Sequence, residues 1–358
     1  MSPQGAGKTA TFSYHPDYLS RPDRLALDPL HLRLRKGAMG LNAADGLPGV
    51  VRDAMPAGYG ADRLVAREGR DLSPLELLEL GPPDAVGAIE VCHDLARKLQ
   101  WQAIPMSELT RELAKLDEHE PSSRAIRRVN GDRGTSAGGE RPKATFEHEG
   151  RLWLVKMKDR GDLAGMPARE YTAMTLARQV GIDIPEIRLM TEGAHQAFMI
   201  ERFDRSGDPA KPARKLFASA HTALALNLDA VRGDPKRSYL VLADAMRSWG
   251  AAGIPQLWQR MAFNALVGNV DDHPRNHGLL HDGAGWQLSP AFDITPIFRP
   301  ANRHGEPPFS RLSLAMDTSA SGGGAVDVLR LLRSAPHFEL DMGDAARWLQ
   351  DAANTVTQ

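Results

Sequence analysis

One cysteine, Cys92, stands among 358 residues. The chain therefore closes no internal disulfide and builds no cysteine-based zinc site, which fits a reducing compartment. The simplest role for Cys92 is that of a buried small apolar side chain. Long apolar runs are also missing: none approaches the roughly 18 residues that cross a bilayer, and the first residues lack the apolar segment of a secretory signal. No membrane association and a cytoplasmic location are the expectation. Nor is there an excess of one charge, since 44 Lys and Arg face 45 Asp and Glu for a net of −1. Bulk attraction to nucleic acid or to an anionic membrane is excluded, so such a partner would need a local patch or a second protein. Repeats and long low-complexity tracts are absent. What remains, 42% hydrophobic and 25% charged residues, is ordinary for a globular chain of about two domains.

Gly5-Ala6-Gly7-Lys8-Thr9 invites a phosphate-loop reading, but Ser2 stands where that motif needs its first glycine. There is also no room before it for a strand, and the segment reads as a mobile terminus. Thr11-Phe12-Ser13-Tyr14, Leu25-Ala26-Leu27-Asp28 and Leu30-His31-Leu32-Arg33-Leu34 alternate as strands do, with turn residues between them up to Pro83. A small β-rich module is expected over residues 1–95. Helical spacing follows in Leu95, Leu99, Ile104, Leu109, Leu113 and Leu116, divided by Pro105, and residues 118–132 are charged enough to read as a linker or a solvated surface segment.

The stretch from Phe263 to Phe298 carries the chemistry. An apolar run ends at Gly268, and Asn269-Val270-Asp271-Asp272-His273-Pro274-Arg275-Asn276 forms a polar loop because Pro274 disfavours helix before it. Leu279-Leu280, a turn at Asp282-Gly283, and Trp286-Gln287-Leu288 make a hairpin that leads to Asp293. Phosphoryl transfer needs a carboxylate to take the proton of the attacking hydroxyl, plus an amide and a second carboxylate on metal. Protein-kinase loops place base and amide five positions apart, as Asp271 and Asn276 are, with the metal carboxylate beyond a hairpin. The alternative is an acidic turn whose side chains satisfy loop backbone groups.

Upstream lies a loop of small residues, Arg133-Gly134-Thr135-Ser136-Ala137-Gly138-Gly139-Glu140-Arg141-Pro142-Lys143, ahead of the strand Leu152-Trp153-Leu154-Val155-Lys156. Such a loop brings backbone N–H groups against phosphates, and kinases set a phosphate-pairing lysine on the strand that follows. Lys158 shares a strand face with Lys156 and is its rival. Residues 167–181 form an amphipathic helix with Glu170 in its first turn, where it either pairs the strand lysine or stabilises the helix dipole. Residues 187–190 and 197–203 read as strands. Residues 218–228, 239–249, 255–267, 326–332 and 345–353 read as helices, and Ser319 to Gly324 as a flexible loop.

These motifs resemble the HipA family of serine/threonine kinase toxins. Gly268-Asn269-Val270-Asp271-Asp272-His273-Pro274-Arg275-Asn276 resembles the family loop, Leu288-Ser289-Pro290-Ala291-Phe292-Asp293 its metal motif, and Ser136-Ala137-Gly138-Gly139-Glu140-Arg141-Pro142-Lys143 its glycine-rich loop. Arg202-Phe203-Asp204-Arg205, Phe12-Ser13-Tyr14 and Arg52-Asp53-Ala54-Met55-Pro56-Ala57-Gly58-Tyr59-Gly60 extend the likeness, with Ala57 where the family usually has Asp. The resemblance implies an α+β, two-lobed protein-kinase-like fold: the N-terminal module at 1–95, a kinase N-lobe at 96–205 and a helical C-lobe at 206–358. It implies Asp271 as base and Asn276 and Asp293 on Mg2+. Gly138, Gly139, Glu140, Arg141, Pro142, Lys143 and Lys156 would lie on ATP, with Glu201, Arg202 and Phe203 at adenine and His273, Phe292, Ile294 and Thr295 lining the nucleotide. Ser136 corresponds to the family's autophosphorylated serine. The implied function is a growth-arresting toxin neutralised by a HipB-like helix-turn-helix antitoxin, reaching DNA only through that partner, with aminoacyl-tRNA synthetases as targets where the family's are known. A small-molecule kinase of similar fold and a catalytically idle co-repressor are the alternatives.

Overall fold

Alternating strands and one proline-initiated helix set up the sheet that carries the candidate site. The computed structural model describes residues 10–357 apart from 42, 44, 132–134, 160–161, 163–164, 231–233, 297–310 and 317–323. The expectations for residues 5–9, for Arg133 and Gly134, for Phe298 and for most of the loop at 319–324 lie outside the described residues. Five strands form the first sheet in the spatial order Ile104–Pro105, Lys143–His148, Arg151–Met157, His195–Glu201, Ile187–Glu192. The first pair is parallel and the others antiparallel. Successive side chains of a strand point to opposite faces. Phe146, Trp153, Val155 and Met157 pack on one face with Leu109, Leu113 and Ile126. Phe198 and Ile200 pack on the other with Met174 and Ala177 of the helix Met166–Gln179. That helix starts with a proline in its first turn, where no N–H is missed, and its last turn runs into Gly181.

A second sheet of three strands, ordered Leu216–Ser219, Gly278–His281, Trp286–Leu288, contains the expected hairpin. Gly283, at φ +104°, makes its turn. Helices Tyr239–Trp249, Ile254–Val267, Val328–Ser334 and Met342–Thr357 build the C-terminal lobe around Tyr239, Trp258, Met261 and Phe338. Among the described residues no helix is long and apolar enough to cross a membrane.

Three expectations are corrected. The N-terminal module is not β-rich: among the described residues its one strand pair is Thr11–Phe12 with Met39–Gly40, beside an isolated bridge between Asp28 and Leu32, while helices occupy Pro16–Ser20, Gly49–Arg52, Tyr59–Glu68 and Pro74–Leu80. The alternation at 25–34 is broken because Asp28 Oδ1 accepts from the N–H groups of Leu30 and His31, at 2.8 and 2.9 Å, and turns the chain there. The charged segment at 118–132 is no linker, since Ser123–Asn130 is a helix with Ala125 and Ile126 fully buried. Residues 218–228 do not form one helix. Leu216–Ser219 is a strand whose last residue caps the short helix Ala220–Ala223, its hydroxyl accepting from Thr222 N at 3.3 Å.

Candidate active site

The register of the first sheet sets Lys156 opposite Lys143 on one side and Phe198 on the other. Its side chain falls on the face that meets the helix Met166–Gln179, where Nζ donates to Glu170 Oε1 at 2.6 Å. It also donates to Asp293 Oδ1 at 2.7 Å, across 137 positions of sequence. Two roles were open for Glu170, and the geometry assigns it to the lysine. Lys158 is half-exposed, and among the described residues no carboxylate pairs with it. Burial alone would depress the Lys156 ammonium, but the Asp293 and Glu170 carboxylates outweigh it and hold it above the usual lysine range. Lys156 in turn holds Asp293 well below the usual carboxylate range, with smaller pulls from Lys143 and His273. Glu170 goes the other way: burial pushes it up more than the lysine pulls it down. Its side chain is 4% exposed against 40% for Asp293, so Asp293 is the partner a cation in the cleft can reach.

The loop after helix Ile254–Val267 is fixed from below. Asp272, buried, accepts from the Tyr239 hydroxyl and pairs with His277 Nε2 at 2.9 Å. Asn264 Nδ2 donates to the Tyr239 hydroxyl at 3.1 Å, and Asn269 Nδ2 donates to Asn264 Oδ1 at 3.0 Å. A buried network of this kind selects one backbone conformation, although Asn269 Oδ1 and His277 Nδ1 find no partner among the described residues. It leaves the neighbouring Asp271 exposed, with no hydrogen-bond partner for its carboxylate among the described residues. Asn276 Nδ2 donates to Asp271 O at 3.2 Å, which leaves its Oδ1 uncommitted. Asp293 sits at φ +60°, in the left-handed region that Asp enters more readily than most residues. Just before it, Ala291 N donates to Asp183 O at 2.8 Å and Arg260 donates to Ser289 O.

Asp293 and Asn276 offer hard oxygen donors of the kind magnesium takes. No cluster of three or more His, Cys, Asp or Glu exists among the described residues. The donor set therefore fits an ion that keeps water and phosphate as its other ligands, as magnesium ordinarily does. In the glycine-rich loop, Gly138, Gly139 and Glu140 are exposed, Arg141 pairs with Asp162 at 3.2 Å, and Pro142 is buried. Lys143 Nζ donates to Gly138 O at 2.6 Å. Gly139 sits at φ +103°, where a side chain would be strained, and a Cβ there would lie 2.2 Å from Lys143 Nζ and push that ammonium aside. Ser136 is buried, its hydroxyl donating to Pro82 O at 2.7 Å.

The structure brings together Lys143, Lys156, Glu170, His273 and Asp293. Phe203 and Phe292 meet at 5.6 Å between ring centroids, tilted by 33°. Three residues assigned by resemblance have groups committed elsewhere. Ile294 is buried in the core with Met174 and Phe263. Arg202 spends its side chain on Asp204 and on Asp84 O and Ala85 O, and its N–H on Leu152 O at 2.8 Å. Glu201 N–H likewise donates to Glu186 O at 2.8 Å, and its carboxylate pairs with Arg151. Asp84, Gly58 and Gly60, all in contact with the glycine-rich loop, went unassigned from sequence. A cavity of about 1050 Å³ lies away from these groups, lined by His31, Arg52, His221 and Lys236. Its Arg52 and His31 are already paired with Asp45 and Asp28, and it has none of the lysine and carboxylate arrangement just described.

Comparison with known proteins places this geometry. The HipA N-terminal domain profile matches residues 2–92, and the HipA-like C-terminal domain profile matches residues 135–358. The chain belongs to the HipA family. Y4dM of Sinorhizobium fredii, whose name proposes a kinase, is 28% identical over 165 residues, 41% of this chain and 38% of that protein. The serine/threonine-protein kinase toxin HipA of Shewanella oneidensis is 25% identical over 145 residues, 36% of this chain and 33% of its own length. These matches span well under half of either relative. A solved Shewanella oneidensis complex of HipA, HipB and operator DNA aligns with a TM-score of 0.65 at 17% identity, covering 98% of this chain and 86% of that one. The HipA fold thus extends over nearly the whole molecule.

Proposed function

We propose that this HipA-family chain is an ATP- and Mg2+-dependent serine/threonine protein kinase and the toxin of a HipBA-like pair. The observation that carries the reading is Lys156 held between Glu170 and Asp293, at 2.6 and 2.7 Å, beside a loop whose exposed Asp271 lies five residues before Asn276. Asp271 would accept the proton of the attacking hydroxyl, for which an unpartnered carboxylate at the loop surface is suited. Lys156, aimed by Glu170, would meet phosphate oxygens together with Lys143, and the N–H groups of Gly138, Gly139 and Glu140 would cover them. Asn276 and Asp293 would hold magnesium, which when bound supplies neutralisation of the charge on the transferring phosphoryl group. His273 and Thr295 would border the nucleotide, and the Phe203 and Phe292 rings would flank its base near Glu201.

The partner reading rests on likeness. The structurally similar Shewanella oneidensis protein is seen with HipB and operator DNA. With a net charge of −1, this chain is suited to reach DNA through a helix-turn-helix antitoxin. The family resemblance supports an aminoacyl-tRNA synthetase as protein substrate, modification of Ser136 and a cytoplasmic site of action. Labelled ATP offered to a protein lysate with magnesium tests the activity. Wild type should label serine or threonine of a discrete protein, and Asp271→Asn should bind nucleotide while losing transfer by about 10²-fold or more. Asp293→Ala should also weaken magnesium-nucleotide binding. Near-normal transfer by Asp271→Asn would sink the assignment, and labelling of small molecules alone would move it to another acceptor class.

A further inference from the structure

Residues 81–90 join no strand or helix, yet they touch the glycine-rich loop and the strand end at Arg202 together. Asp84 is 3% exposed. Its carboxylate accepts from Ser136 N at 2.6 Å, from Thr135 Oγ1 at 2.9 Å and from Thr145 Oγ1 at 3.2 Å. Its carbonyl accepts from Arg202 Nη1 at 2.8 Å. Among the described residues no cation pairs directly with this carboxylate, and burial pushes it up. A buried carboxylate held by neutral donors is a costly way to fill space, and its three hydrogen bonds all converge on the start of the loop and the strand that follows it.

The N-terminal module grips the same loop by its backbone. Tyr59 N donates to Gly139 O at 3.0 Å. A Cβ on Gly58 would lie 2.6 Å from Gly139 O, and one on Gly60 only 2.1 Å from Thr135 O. A Cβ on Gly81 would lie 3.0 Å from Ser136 Oγ, so a glycine there leaves that hydroxyl its room. Both polar groups of Ser136 are thereby spent inside the interface, its N–H on Asp84 and its hydroxyl on Pro82 O.

We infer that Asp84 is a positioning residue through which the N-terminal module latches the glycine-rich loop in its nucleotide-ready form and keeps the Ser136 hydroxyl out of reach. The inference rests on reading that loop as the nucleotide's cover, so the test uses one measurement that needs no nucleotide. In full-length Asp84→Ala and Asp84→Asn, amide exchange followed by mass spectrometry should rise about tenfold or more over residues 135–143, since the loop loses the hydrogen bonds that tie its start to the module. Exchange in 152–157 and 254–267 should not change, which separates an opened latch from general loosening. Gly60→Ala attacks the same contact from the module's side and should reproduce the pattern if Asp84→Ala fails to fold. In steady-state kinetics the KM for ATP should rise with kcat less affected. Loop exchange and KM both unchanged in Asp84→Ala and Gly60→Ala would overturn the latch. Faster loop exchange in a protein whose wild type binds no ATP would uphold the latch and overturn the nucleotide reading.

Discussion

Lys143 shows how far surroundings can move one residue's chemistry. It is 6% exposed, and its ammonium shares the site with that of Lys156. Burial first, and then that neighbouring charge, lower its pKa to about 8, against attraction from Asp293 and Glu170. The folded chain therefore releases this proton before the unfolded chain does. Keeping Lys143 charged costs stability below about pH 8, and the cost fades as pH rises from there toward the ordinary lysine range. For ligand binding the sign is reversed, because phosphate needs the ammonium that higher pH removes. Nucleotide affinity measured by calorimetry should fall about tenfold between roughly pH 7 and 9, following the charged fraction. Lys143→Arg, which stays protonated throughout, should flatten that profile. A wild-type affinity that holds constant over the same range would remove Lys143 from the phosphate contacts.

At the scale of elements, the helix Ser123–Asn130 shows what local pattern hides. Arg124, Arg127 and Arg128 give it the look of a solvated linker, but they lie off the face that buries Ala125 and Ile126 against Phe146 and Trp153. Three apolar positions in eight residues suffice, because a helix on the back of a sheet gains its stability from packing rather than propensity. Ile126→Ala should cost about 2–5 kcal/mol by removing side chain from a closed core, while Arg124→Ala, on the exposed face, should cost under about 0.5 kcal/mol. Urea denaturation decides between them, and equal losses would return the segment to linker status. The helix Met166–Gln179 and the hairpin at 278–288 were legible because proline, glycine and apolar spacing mark their ends. The pairing of Lys156 with Glu170 was half legible, since sequence offered the residues and only the sheet register shows that they meet. Asp84 was not legible at all. Its partners Thr135, Ser136 and Thr145 lie 51 to 61 positions away, and nothing in Pro82-Pro83-Asp84 distinguishes a latch from a turn.

For the whole molecule, the family profiles divide the chain into a piece ending at residue 92 and another starting at 135, but the packing does not follow that division. Tyr14, Leu32, Met39 and Val50 of the N-terminal module sit in one core with Tyr239, Leu242 and Trp258 of the C-terminal lobe. Tyr14 donates its hydroxyl to Leu32 O at 2.5 Å from within that core. Farther along, Arg202, Asp204 and Arg205 bond to residues 84–87 through buried charge-assisted hydrogen bonds, and the part-buried Arg214 donates to Pro83 O and Glu90. Separate domains would unfold in separate steps; elements that share a core should unfold together. All 6 tryptophans lie beyond residue 100, so tryptophan fluorescence reports on the body alone while amide exchange in residues 10–92 reports on the module. The two probes should give the same urea midpoint, and Tyr14→Ala should lower both equally, by a loss of about 2–4 kcal/mol for an aromatic removed from a shared core. An earlier, separate transition in the module's amides would instead make it an independent domain docked on the kinase-like body. In that case the contacts at Gly58, Gly60 and Asp84 could open without unfolding anything else.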